Sequence, residues 1–180
     1  RQSKFKTFFK EHEAFYDKVI ENYQKEYLLS EMKAFLTEEF GDFLGDKKYT
    51  VVLSPFVGSQ NLHRDIDSTW TADFPPVAKP IIEGTGFENE EEKSSKVHTL
   101  FTEMDHGYVN PTSSQYEVES KFDEKIWDKE SGYAGYGDAV FNEYMTWAVF
   151  DLFNSKHFPE LADKINLNWH FQNETRGFIY

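Results

Sequence analysis

The sequence predicts a mixed α+β domain, mostly helical with a small sheet. Three stretches carry that prediction. Over residues 4–29, Phe5, Phe8, Phe9, Phe15, Tyr16, Val19, Ile20, Tyr23 and Tyr27 recur at three- and four-residue steps with Lys and Glu between them. That is the period of an amphipathic helix. Tyr49-Thr50-Val51-Val52-Leu53-Ser54 is rich in β-branched residues and closed by Pro55, which reads as a strand. Residues 139–153 are strongly apolar over a helix-sized span. At 180 residues the chain fits one domain, 1–180, large enough to bury a core.

The remaining elements follow in order. His12 lies on the aromatic face of the first helix, where a lone histidine is normally packed and hydrogen-bonded. A second helix starts at Ser30 as N-cap, carries Met32, Phe35, Leu36, Phe40 and Phe43, and is punctuated by Gly41 and Gly45. After the strand, residues 56–66 suit a hairpin partner or a substrate-facing edge. Residues 68–80 hold Pro75, Pro76 and Pro80 and read as irregular. Residues 88–95 are acidic and polar, a solvated loop.

From about Ser95 to His106 a helix is expected, with Val97, Leu100, Phe101 and Met104 as its apolar stripe. His98, Thr102, Asp105 and His106 take the opposite face, Gly107 stops the helix, and an extended exit runs into Pro111. Another helix is expected over residues 113–129. A glycine-tyrosine loop follows over 132–138, spaced too loosely to cradle phosphate. Asp138 caps the apolar helix, Phe158 opens a last helical stretch, and residues 176–180 read as a closing strand.

Composition narrows the function. Hydrophobic residues are 39% and aromatics 18%, with 18 Phe, 10 Tyr and 4 Trp, so the core is built from rings. The net charge of −13 argues against nucleic acid and anionic membrane surfaces, both of which need a basic face. There is no cysteine, hence no disulfide and no thiolate metal site. No apolar run reaches the length of a membrane span. The chain opens Arg1-Gln2-Ser3, so processing or trimming is expected, and an export or periplasmic destination stays open.

The chemistry concentrates in Leu100-Phe101-Thr102-Glu103-Met104-Asp105-His106-Gly107-Tyr108-Val109-Asn110-Pro111. Two histidines four residues apart on a helix share a face and hold one zinc ion, and the glutamate after the first takes a proton from the metal-bound water. Here Glu103 stands three residues before His106, the offset of that base, while Thr102 takes the first ligand position. A neutral hydroxyl is a poor zinc ligand beside imidazole or carboxylate. The competing reading is a helix end whose polar residues face water. Glu143, inside Val140-Phe141-Asn142-Glu143-Tyr144-Met145, is charged within an apolar helix. It is either paired structurally or a metal ligand from a second helix.

Asn-Glu on a helix downstream of a His-Glu-x-x-His helix resembles the layout of gluzincin zinc peptidases. More specifically, the chain resembles a bacterial family of uncharacterised zinc metallopeptidases, known mainly as a domain of unknown function. The likeness spans nearly the whole chain: the aromatic N-terminal helix pair, the strand Tyr49 to Pro55, His106-Gly107-Tyr108-Val109-Asn110-Pro111, Asn142-Glu143-Tyr144 and Gly177-Phe178-Ile179-Tyr180. The Val109-Asn110-Pro111 exit is its most specific part. The resemblance implies an α+β, zincin-like fold. It also implies Glu103 as general base, and His106 and Glu143 as metal ligands.

Thr102 departs from that pattern. A catalytic zinc wants three protein ligands and an open position, so zinc is expected to be weakly held or absent. Three alternatives follow. The domain is a non-catalytic relative that binds a peptide or protein in the cleft. It recruits a replacement ligand, with His63 the first candidate, and remains an active zinc-dependent peptidase. Or Glu103 itself becomes a ligand in an oxygen-rich site. In the active peptidase, an edge strand near residues 56–62 lines up the peptide, and the non-catalytic relative binds in the same groove.

Overall fold

The computed structural model describes residues 4–53, 61–75, 86–116 and 139–162. It is mostly helical with one small sheet, the coarse class that the sequence predicts. The order is α1 (Phe5–Glu11), α2 (Glu13–Glu26), α3 (Leu29–Phe40), β1 (Lys48–Val51), β2 (His63–Asp67), β3 (Trp70–Asp73), α4 (Glu90–Gln115) and α5 (Ala139–His157). The expected Ser54-Pro55 strand end, residues 56–60, the helix tail to Lys129 and the glycine-tyrosine loop lie outside the described residues. So do the Asp138 cap and the closing strand.

The first expected helix is broken at His12. Its Nδ1 meets the Phe8 carbonyl at 2.8 Å and its ring stacks on Phe8. Phe5, Phe8 and Phe9 on α1 stay exposed, so the aromatic face predicted there packs little of the core. The third helix starts at Leu29 rather than after a Ser30 cap, because Leu28 turns into the left-handed region at φ 54° and both leucines pack on the core.

The strands form a three-stranded sheet in the order β1-β3-β2. β3, from the stretch expected to be irregular, is its centre. It runs parallel to β1 and antiparallel to β2. Pro75 follows the strand rather than interrupts it. The β2–β3 turn is closed by Asp67, whose Oδ1 accepts from the Thr69 amide and hydroxyl, each at 2.7 Å.

The largest difference from expectation is α4. The acidic stretch read as a loop is its first turn, capped by Asn89, whose side chain accepts from the Glu92 amide at 2.8 Å. Glycine does not stop it and Pro111 does not end it; the helix runs unbroken from Glu90 to Gln115. Both faces of this helix are used, which overrides local propensity. Phe101 packs with Phe35, Phe150 and Phe153, drawing α3, α4 and α5 together. Each such ring stabilises by about 1.5–3 kcal/mol when fully buried. A buried hydrogen bond from Ser94 to Asn154 at 2.6 Å fixes α5 against the start of α4.

Candidate functional site

α4 lies between α5 on one side and the sheet on the other, so its polar residues are enclosed. His98, Thr102, Glu103 and Asp105 are all buried, which overturns the reading of a helix end facing water. His98 is packed edge-on by Trp147 and Phe150, and burial pushes its imidazole down to about 3, leaving it neutral. Thr102 turns its hydroxyl back along its own helix, donating to the His98 carbonyl at 3.2 Å.

The residues singled out as chemically active do meet. His106 Nε2 stands 3.4 Å from Glu143 Oε1 of α5, and its Nδ1 stands 3.1 Å from Asn110 Oδ1. Both ring nitrogens therefore face acceptors, an arrangement that suits imidazolium. Burial alone would lower this histidine, but the Glu143 hydrogen bond and charge, then Asn110 and Glu103, carry it up to about 9. One turn back, Glu103 Oε1 accepts from Asn61 Nδ2 at 2.6 Å. Burial, opposed by the His106 charge and reinforced by Asp73 and Glu143, raises Glu103 to about 7. Glu103 thus sits near half-protonation at neutral pH, the range of a working general acid or base.

The sheet supplies a second set of groups, of which sequence reading singled out His63 alone. Asp73, fully buried on the central strand, accepts from Tyr49 OH through Oδ2 and from His63 Nδ1 through Oδ1 at 2.6 Å. His63 Nε2 lies 3.3 Å from Thr71 Oγ1. A Cβ at position 107 would meet His63 Cε1 at 3.5 Å and Nε2 at 3.8 Å, so the His63 ring packs close over Gly107 of α4. The Asp73 role was hidden because residues 68–80 were read as irregular on their prolines, while Asn61 fell in the stretch read as a hairpin partner or substrate-facing edge and was given no role of its own. The available signal was Trp70-Thr71-Ala72-Asp73-Phe74, a β-prone run ending in a carboxylate.

Whether these donors suit a zinc ion can be tested on their placement. Thr102 Oγ1 is committed to the backbone, and His106 and Glu143 are paired with each other. Among the described residues, no group of three or more His, Asp or Glu side chains converges as a metal site. This donor set does not fit a three-ligand catalytic zinc as it stands. The described helices also include none long and apolar enough to cross a membrane.

No protein-family model matches this chain, and comparisons with curated proteins and with solved structures likewise return no match.

Proposed function

We propose that this is a zincin-like, metallopeptidase-related domain with a degenerate zinc motif, and that its cleft takes a peptide or protein segment laid along the free edge of β2 beside α4. The observation that carries the reading is the position of β2. Among the described residues it is an edge strand, exposed along most of its length, packed beside the helix that bears Glu103 and His106. An edge strand offers unpaired amides and carbonyls to an extended chain. Glu103, Glu143 and the imidazolium of His106 then meet its peptide groups or side chains from α4 and α5.

Hydrogen exchange with and without peptides from a protein digest tests this. Bound peptide is expected to slow exchange over residues 62–67 and to lose affinity in Glu143→Lys. Unchanged exchange along β2 at saturating peptide would reject the reading.

A second reading is favoured by one hydrogen bond. Asp73 holds Nδ1 of His63, the orientation that an imidazole receives when its other nitrogen serves a metal. His63 would then stand in for the missing histidine beside His106 and Glu143, giving an active zinc-dependent peptidase with Glu103 as base. Zinc retained after desalting separates the two. About one ion per chain, lost in His63→Ala, His106→Ala and Glu143→Ala, selects the second reading. No retained zinc in any of them selects the first.

A further inference from the structure

A cavity of about 870 Å³ lies on the far side of the sheet from β2, between β1, α2 and α3. Its floor is Leu100 and Met104 of α4, and its walls include Ile20, Tyr27, Val51 and Leu53. The volume falls within the usual range for small-molecule sites. Charge distinguishes it from an ordinary packing gap. The chain carries 32 Asp and Glu against 19 Lys and Arg, yet among the described residues the cavity lining holds no carboxylate and two lysines, Lys33 and Lys47. Lys47 shares an exposed ion pair with Asp65 at 3.4 Å, whereas no ion pair is formed by Lys33 among the described residues.

We infer that this cavity binds an amphiphile with an apolar chain and one anionic head, of the fatty-carboxylate class. The aliphatic and tyrosine walls take the chain, and Lys33, supported by Lys47, takes the carboxylate. An apolar chain gains affinity from each methylene it buries, and a cationic rim on an otherwise acidic surface selects the head group. A neutral apolar ligand satisfies the walls and not the lysines; an acidic peptide satisfies the lysines and not the floor. The inference does not rest on peptide binding at β2: no residue of β2 or of the Glu143 helix is among the described residues that line the cavity, although the two sites share α4 and the Lys47–Asp65 pair reaches β2.

The test is titration with octanoate, decanoate and dodecanoate below their micelle concentrations, with dodecanol as the neutral control. Affinity is expected to rise roughly two- to fourfold per added methylene. Lys33→Glu, an exposed substitution that leaves the fold intact, is expected to weaken dodecanoate by about tenfold and dodecanol by less than about twofold. Ala34→Trp, which fills the cavity from α3, is expected to abolish both while keeping the helical circular-dichroism signal. Failure of dodecanoate to bind the wild type overturns the inference. So does binding that ignores chain length, and so do Lys33→Glu and Ala34→Trp proteins that bind as the wild type does.

Discussion

Asp105 is the residue whose energetics stand out. It is fully buried, and neither carboxylate oxygen has a hydrogen-bond partner among the described residues. It stands one helical turn beyond Phe101, the ring that packs against α3 and α5. Burial holds its carboxyl well above the usual carboxylate range, favouring the protonated form. An unsatisfied buried polar group costs about 1–3 kcal/mol. Asp105→Leu, close in volume and apolar, is therefore expected to raise stability by about that amount, read as a higher denaturation midpoint with an unchanged slope. Tyr49 presents the opposite case. Its hydroxyl donates to Asp73, and the same carboxylate positions His63. Tyr49→Phe is expected to loosen the His63 ring, visible as a shifted imidazole resonance, while the cavity-lining ring itself remains.

At the scale of elements, α4 decides how the site is built. Gly107 lies in its interior, where glycine costs about 0.8–1 kcal/mol relative to alanine. An added Cβ would meet His63 and Leu44 at 3.5 Å, ordinary van der Waals contact. Gly107→Ala is thus expected to be accepted and to stabilise by up to about 1 kcal/mol in a denaturation experiment. Gly107→Leu is expected to do the reverse. The larger side chain would drive His63 off α4, break its bond to Asp73 and cost about 1–3 kcal/mol. Pro111 leaves the Gly107 carbonyl without its helical donor. In the following turn, Thr112 and Ser113 donate their hydroxyls to the Tyr108 and Val109 carbonyls at 2.8 and 2.9 Å. The glycine-then-proline spacing looked like a helix end because local propensity says so; packing on both faces makes it a helix interior.

For the whole molecule, protonation links the site to stability. His106 keeps its proton to about pH 9 in the fold but loses it near its ordinary 6.5 when unfolded. Its contribution is complete below pH 6.5 and fades as the pH climbs to 9. Asp105, also raised, pulls in the same direction, its contribution fading as the pH climbs from the ordinary carboxylate range. Neutral His98 acts at the other end: below pH 6.5 the unfolded chain accepts a proton that the fold refuses down to about 3. The melting temperature is therefore expected to fall between pH 6.5 and 9, and His106→Gln is expected to flatten that fall. A wild-type melting temperature that does not change across this range would contradict the assignment.

The sequence by itself determined a mostly helical chain with a short β-branched strand, an aromatic core, and Glu103, His106 and Glu143 as the residues to bring together. Those signals are local, because helical periodicity, strand composition and motif spacing are written within a turn or two. It did not reveal β3 as the central strand, Asp73 as the carboxylate behind His63, the continuity of α4 or the cavity beside β1. Only the tertiary structure decided these, for they depend on which surfaces meet across the chain. A proline-flanked stretch becomes a strand when two neighbours pair with it, and a glycine stays helical when a histidine ring packs over it.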